Sequence, residues 1–142
     1  MTIKIMYHDK ELEAMDLERH GDWIDVRAAE DVKAYAGDFK IISLGFSAQL
    51  PKGYEAHLAP RSSTFKKWGI LQTNSVGIID EAYCGENDVW GFPAYFTRDT
   101  EIHKGDRIGQ FRLVEKMGNV DFEHVDHLDA ESRGGFGSTG TN

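Results

Sequence analysis

Apolar and polar residues alternate in short runs along most of the chain. Runs with a period of two and many β-branched or aromatic residues, separated by glycine-containing turns, are typical of short strands. The runs predicted as strands cover residues 3–7, 23–27, 39–50, 54–58, 70–74, 75–80, 89–96, 108–114 and 122–125.

Three segments depart from this alternation. Residues 62–68 have helical spacing, so we expect a short helix that Ser62 caps and Gly69 ends. The acidic segment 9–20 is predicted as a short helix or a loop. The last residues, 131–142, are too rich in glycine for a packed element and are expected to form a mobile tail. The pattern therefore predicts an all-β barrel or sandwich with at most one short helix, folded as a single domain over 1–142.

Composition narrows the classes of partner. The chain has 142 residues, and 16 Lys and Arg against 24 Asp and Glu give a net charge of −8. This charge argues against nucleic acid or an anionic membrane as the main partner, and any anionic ligand needs local positive charge. The one cysteine, Cys84, allows no internal disulfide and indicates a reducing, cytoplasmic environment. The sequence shows no signal peptide core and no membrane-spanning run.

The stretch 74–86 carries the most chemistry. Asp80 follows an apolar run, and a carboxylate at a strand exit can deprotonate a water molecule. The ring of Tyr83 can lie against a sugar, and the amide of Asn74 offers a donor and an acceptor to a base edge. The alternative interpretation is a β-hairpin in which these residues only form the turn.

Three further segments have weaker signals. The segment 60–63 combines a guanidinium with two hydroxyls before the predicted helix, which suits an anion or an ordinary helix cap. The segment 104–110 is a turn that enters a strand. Phe136 stands among glycines in the tail, which suits wrapping of phosphates or a disordered end. The six histidines lack the spacing of a metal site, so no zinc site is predicted.

Five segments together resemble the five ordered motifs of the homotrimeric dUTPase family. The resemblance implies a β jelly roll that hydrolyses dUTP to dUMP and pyrophosphate with Mg²⁺, in a homotrimer whose three subunits build each active site. The segments are 24–29, 60–63, 74–86, 105–110 and 134–140.

By this resemblance, Asp80 activates the attacking water and Tyr83 packs on the deoxyribose. Asn74 reads the uracil edge, and Phe136 stacks on uracil when the tail closes over the site. The resemblance also implies contacts with the phosphate chain and its metal. Asp25 orders the water molecules around magnesium, and the residues that hold or support phosphate are Arg61, Ser62, Ser63, Gln110, Ser138 and Thr139.

The sequence departs from the family pattern at two informative places. Glu131 stands where the family has a tail arginine, so Arg133, three residues before Phe136, is the expected substitute. The second acidic position of the third motif is Ala82, which leaves Asp80 as the base.

Two alternatives of other kinds remain. A dCTP deaminase of the same fold is less favoured because the spacing of Asn74, Asp80 and Tyr83 follows the hydrolase. A dUTPase-like regulatory protein that binds a protein partner is compatible with the sequence, but the intact Asp80 favours catalysis.

Overall fold

The computed structural model describes residues 1–136 and contains twelve strands and two short helices. The strands are β1 (Lys4–Tyr7), β2 (Glu18–His20), β3 (Trp23–Arg27), β4 (Val32–Ala34), β5 (Phe39–Ser43), β6 (Phe46–Gln49), β7 (Tyr54–Pro60), β8 (Ile70–Gln72), β9 (Gly77–Ile79), β10 (Gly91–Phe96), β11 (Thr100–Ile102) and β12 (Arg107–Glu115), and the helices are α1 (Lys10–Met15) and α2 (Thr64–Trp68).

Antiparallel pairing organises these strands. The largest sheet has the order β2-β3-β12-β7-β9, and a second sheet has the order β5-β10-β8. Two further pairs, β1 with β6 and β4 with β11, complete the architecture. Most neighbours are distant in sequence, so chain segments that are far apart meet in one sheet. The predicted all-β class is confirmed.

The core lies between the sheets and centres on aromatic side chains. The indole of Trp90 is buried between Phe46 and Phe111, with ring centroids 4.9 Å and 5.0 Å away. The tilted and edge-on ring arrangements are the geometries that aromatic pairs favour. Phe46 lies on β6, Phe111 on β12, and Trp90 directly before β10. These rings therefore connect strands of three different sheets in one core.

Residues 39–50, predicted as one strand, form two strands because Gly45 interrupts them. Gly45 has a φ of +77°, which only glycine adopts without strain. A Cβ there would lie 2.5 Å from Leu12 Cδ1 and 2.9 Å from the Cβ of Ala29. The absent side chain therefore makes room for α1, whose Leu12 is 2% exposed.

Both helical segments differ in detail from the prediction. Residues 9–20 contain α1 and β2, so the described chain has two short helices and not at most one. The side chain of Asp9 caps α1 by accepting from the amides of Glu11 and Leu12. The prediction that Ser62 caps the second helix is wrong, because Ser63 holds the cap position and makes no side-chain cap bond.

Other errors concern short strands. The three-residue strands β4 and β11 pair with each other and were not predicted. The strand predicted at 122–125 is absent, and residues 116–136 contain no helix or strand. No helix among residues 1–136 has the length and apolar character needed to cross a membrane.

The close contact at Gly45 makes a stability prediction. We expect Gly45→Ala to lower the free energy of unfolding by roughly 2–5 kcal/mol, because strained backbone and an overpacked methyl both cost energy. Urea unfolding at a fixed protein concentration measures this change. Gly37→Ala is the matched control, since Gly37 also has a positive φ, +93°, but has no atom within 4 Å of the added Cβ. Equal losses in the two variants would show that packing against Leu12 contributes nothing.

Candidate active site

Three neighbouring strands bring the first group of predicted site residues together. Asp25 on β3 pairs in register with Gln110 on β12, and Gln110 pairs with Ala59 on β7. The Gln110 side chain donates to the carbonyl of Pro60 at 3.1 Å. Segments that are far apart in the sequence therefore meet in one cross-strand row, beside the loop that carries Arg61, Ser62 and Ser63.

The centre of this group is a buried carboxylate between two guanidinium groups. Asp25 is 3% exposed. Its Oδ1 lies 3.2 Å from Arg61 Nε and its Oδ2 lies 3.4 Å from Arg107 NH1. A buried charge needs such partners, and each arginine is held in place in return. Asp25, Arg61 and Arg107 are called the acid–arginine cluster below.

A buried hydroxyl links the two arginine-bearing segments. Thr64 Oγ1 accepts from the amide of Arg61 at 2.8 Å and donates to the carbonyl of Ile108 at 2.9 Å. Arg61 NH1 also donates to the carbonyl of Arg107 at 3.2 Å. These bonds fix the loop 60–63, while the hydroxyls of Ser62 and Ser63 make no hydrogen bond within residues 1–136 and remain able to bind a ligand.

Glu18 and His20 on β2 lie beside the cluster. Glu18 lies 3.1 Å from both Arg27 and Arg107, and His20 lies 3.6 Å from the Asp25 carboxylate. The hydrogen bond with His20, followed by the charges of Arg107 and Arg27, lowers the pKa of Glu18.

The second group of predicted residues lies in the segment 74–86, which is called the Asp80 segment below; its one strand, β9, pairs with β7, so the segment is not a β-hairpin. A tight turn at its start places Ser75 at a φ of +60°. The buried Gln72 donates to the carbonyl of Leu58 and to Asn74 Oδ1, at 3.0 Å and 2.9 Å. Gln72 uses one of the two lone pairs on Asn74 Oδ1, so the Asn74 amide keeps both a donor and an acceptor for a ligand.

Asp80 itself is exposed at the end of β9. Its Oδ1 accepts from the amide of Ala82 at 2.7 Å, while Oδ2 makes no hydrogen bond in the described part of the chain. The Tyr83 hydroxyl donates to the carbonyl of Val89 at 3.1 Å, which fixes a ring that is 41% exposed. One carboxylate oxygen is therefore held by the turn and the other is available as a base.

A cavity of about 450 Å³ opens beside Asp80. Lys52 and Lys116 contribute to its lining, and neither forms an ion pair within residues 1–136. These lysines place positive charge near Asp80 in a protein whose net charge is −8.

The two groups of residues do not meet within one chain. The pairing of β9 with β7 places Gly77 opposite Leu58 and Ile79 opposite Ala56. Asp80 thus lies three strands from Asp25 and about four residues further along the strand direction. With usual strand spacings, their backbones are roughly 20 Å apart. Asp80 and the acid–arginine cluster are therefore well separated within the chain.

Of the tail, the structure describes residues 131–136. Residues 131–136 have no helix or strand, and the Phe136 ring is fully exposed. Arg133 forms no ion pair with the described residues. Ser138 and Thr139, predicted to contact phosphate, lie outside the described residues.

Sequence reasoning missed the residues that support the site. Gln72, Thr64, Glu18 and Arg107 act through strand register or through contacts across the sheet. Thr64 had a local signal, because a hydroxyl beside a predicted helix start commonly bonds the adjacent backbone. No local sign in the sequence indicated that Glu18 binds arginines, since its two arginine partners lie 9 and 89 positions away along the chain.

Comparison with known proteins identifies the family. The dUTPase family model matches residues 14–140. The chain is 56% identical over 141 residues to an SPbeta prophage-derived deoxyuridine 5'-triphosphate nucleotidohydrolase of Bacillus subtilis strain 168, with 99% of each chain covered. It is 36% identical to the deoxyuridine 5'-triphosphate nucleotidohydrolase of Corynebacterium glutamicum, over 98% of this chain and 95% of that one.

Solved structures agree on the fold. The dUTPase of Staphylococcus bacteriophage 80alpha, solved with dUPNHPP, superposes with a TM-score of 0.78 at 21% identity and 99% coverage of both chains. A variant dUTPase from phage phi11 of S. aureus, described with a structural Mg(II) ion, gives a TM-score of 0.73 at 18% identity, over 90% of this chain and 99% of that one. The chain belongs to the dUTPase family, which confirms the resemblance, the jelly-roll fold and the class of enzyme.

Proposed function

We propose that the chain hydrolyses dUTP to dUMP and pyrophosphate, with Asp80 as the general base. The free Oδ2 of Asp80 carries this proposal. It takes the proton of a water molecule whose oxygen attacks the α-phosphorus, and the bond from that phosphorus to the bridging oxygen breaks. General-base help of this kind accelerates a reaction by about 100- to 10,000-fold.

The loop 60–63 and Gln110 are suited to hold the phosphates. The hydroxyls of Ser62 and Ser63 are unbonded in the described chain, and Arg61 keeps one terminal nitrogen free after binding Asp25 and the Arg107 carbonyl. A guanidinium with a free edge binds phosphate oxygens well. Local positive charge of this kind is required because a net charge of −8 repels a triphosphate.

The Asp80 segment is suited to hold the nucleoside. The Asn74 amide supplies a hydrogen-bond donor, and the exposed ring of Tyr83 offers a flat apolar surface to a deoxyribose. In this proposal Phe136 stacks on the base, and Arg133, Ser138 and Thr139 contact phosphate as the tail closes.

Magnesium fits this site when the substrate supplies most of its ligands. Within residues 1–136 there is no group of three or more His, Cys, Asp or Glu side chains that could hold a metal ion. Magnesium retains water and binds phosphate oxygens readily, so a metal on the triphosphate needs few protein ligands. Asp25 keeps a lone pair on Oδ1 beside its bond to Arg61, which suits contact with a metal-bound water. The ion supplies neutralisation of phosphate charge.

We further propose a homotrimer in which neighbouring subunits share each site. The separation of Asp80 from the acid–arginine cluster requires a second copy to complete the chemistry. The outer face of the three-stranded sheet supplies a contact surface, since Phe39, Tyr95 and Leu71 are exposed and lie in one cross-strand row. A contiguous exposed apolar face of this kind marks a protein interface.

The segment 116–136 also supports assembly. It lacks helix and strand, and its apolar side chains are at least half exposed in the isolated chain, which leaves them available to a neighbouring subunit. These side chains are Met117, Val120, Phe122, Val125 and Leu128. We also propose that the enzyme is cytoplasmic, because its one cysteine, Cys84, is a free thiol and a reducing compartment keeps thiols reduced.

The function is tested with Asp80→Asn. We expect pyrophosphate release from dUTP to exceed release from dTTP, dCTP and UTP, and the variant to lose about 100- to 10,000-fold in single-turnover rate. Binding of a non-hydrolysable dUTP analogue stays largely intact, because the amide keeps the carboxylate's shape. Asp121→Asn is the matched control, as Asp121 is exposed and unpaired within the described chain. Absence of dUTP turnover would refute the activity, and a variant rate near that of wild type would remove Asp80 from the base role.

The shared site is tested by mixing two inactive variants. Asp80→Asn chains and chains with Ser62→Ala and Gln110→Ala are co-refolded in equal amounts. A mixed trimer with sites between subunits regains one intact site in three, so random mixing gives about one quarter of wild-type activity. Sedimentation equilibrium on the same samples reports the assembly. A mixture as inactive as its parents, despite mixed trimers, would place the whole site in one chain.

The tail is tested with Arg133→Ala. Loss of a charge-assisted hydrogen bond costs roughly 1.5–3 kcal/mol, so kcat/KM on dUTP should fall by about 10- to 150-fold. Glu131→Ala is the control and should have little effect or raise kcat/KM by removing a like charge. A silent Arg133→Ala would show that the γ-phosphate is held elsewhere, and a silent Phe136→Ala would remove the tail from the site.

A further inference from the structure

Glu18 joins two arginines that belong to different strands. Its Oε1 accepts from Arg27 NH2 at 3.1 Å, and its Oε2 accepts from Arg107 NH1 at 3.1 Å. Arg107 NH1 is also 3.4 Å from Asp25 Oδ2. The carboxylate of Glu18 therefore extends the acid–arginine cluster from β12 and β3 out to the edge strand β2.

Arg27, one of the two arginines, uses all three of its side-chain nitrogens in hydrogen bonds within the protein. Arg27 donates through Nε to the carbonyl of Asp16 at 3.3 Å and through NH1 to the carbonyl of Gly105 at 2.9 Å. Its third nitrogen binds Glu18. Because every nitrogen of this guanidinium has a partner in the chain, Arg27 is a fixed support for the Glu18 carboxylate.

The other arginine is held by one nitrogen only. Arg107 NH1 meets Glu18, Asp25 and His20, the last at 3.2 Å between nitrogens. Its Nε and NH2 make no hydrogen bond within residues 1–136. Two adjacent N–H donors on a rigid planar group match two oxygens of a phosphate. The Arg107 side chain is 35% exposed, so these donors are accessible to a ligand.

We propose that Glu18 is a positioning residue that holds Arg107 ready to bind a phosphate group of the substrate. This inference rests on the proposed hydrolysis of dUTP. Arg27 fixes Glu18, and Glu18 and Asp25 together fix NH1 of Arg107. The guanidinium keeps its remaining edge for the ligand and does not lose rotational freedom when the ligand binds.

A purely stabilising role accounts poorly for this arrangement. The Glu18 side chain is 47% exposed, and exposed ion pairs contribute little to folding stability. Glu18 lies outside the five motif-like segments. The pairing of β2 with β3 places it opposite Asp25, beside the acid–arginine cluster.

The test compares Glu18→Ala and Glu18→Gln with the control Glu30→Gln. Glu30 is exposed and forms no ion pair within the described chain, so its change removes the same charge away from the cluster. Calorimetry measures the Kd of an imido analogue of dUTP with Mg²⁺, kinetics gives kcat and KM separately, and thermal unfolding reports stability. We expect Glu18→Ala to raise Kd and KM about tenfold with kcat nearly unchanged. Glu18→Gln should have an intermediate effect, and the unfolding temperature should match that of Glu30→Gln.

A double-variant cycle makes the test specific for Arg107. In an Arg107→Ala background, Glu18→Ala should change Kd no further, because residues that act through one another are not additive. Full additivity, or Glu18 variants equal to Glu30→Gln, would overturn the inference. Wild-type protein without dUTP hydrolysis would instead overturn the proposed function, so the two failures are distinguishable.

Discussion

The pairing of one buried carboxylate with two guanidinium groups determines how this chain builds its site. Asp25 is buried in the largest sheet, where an unpaired charge would be strongly unfavourable. Arg61 in the loop after β7 and Arg107 on β12 satisfy it, and the Thr64 hydroxyl ties the backbones of these two segments together. The cost of burying the charge is thus offset by contacts that also fix the arginines proposed to bind phosphate.

Much of the fold could be predicted from alternation along the chain. The run 23–27 has the predicted bounds because its inward residues, such as Val26, are apolar and its length covers more than two periods. The strands β4 and β11 were not predicted, because a run of three residues is too short to show a period of two. The run 39–50 was wrongly predicted as one strand, because the sequence alone does not show that Gly45 has a positive φ and packs against Leu12.

The site could be predicted only in part, for a related physical reason. Asp80, Tyr83 and Asn74 lie within ten residues of one another, so their spacing was visible in the sequence. The bonds of Gln72 to Leu58 and of Glu18 to Arg107 join residues that only the fold brings near, and nothing in the local pattern distinguishes Gln72 or Glu18. The run 122–125 shows the opposite error, since apolar residues there suggested a strand but lack any partner strand in the described chain.

The roughly 20 Å between Asp80 and Asp25 in one chain changes what controls the enzyme. Under the proposed sharing of sites, a lone chain carries both half-sites and joins neither to its complement. The reacting groups then meet only by association, so the law of mass action applies to catalysis itself. Dilution lowers the activity of each chain, and synthesis of more chains raises it. The specific activity of the protein therefore depends on its own concentration.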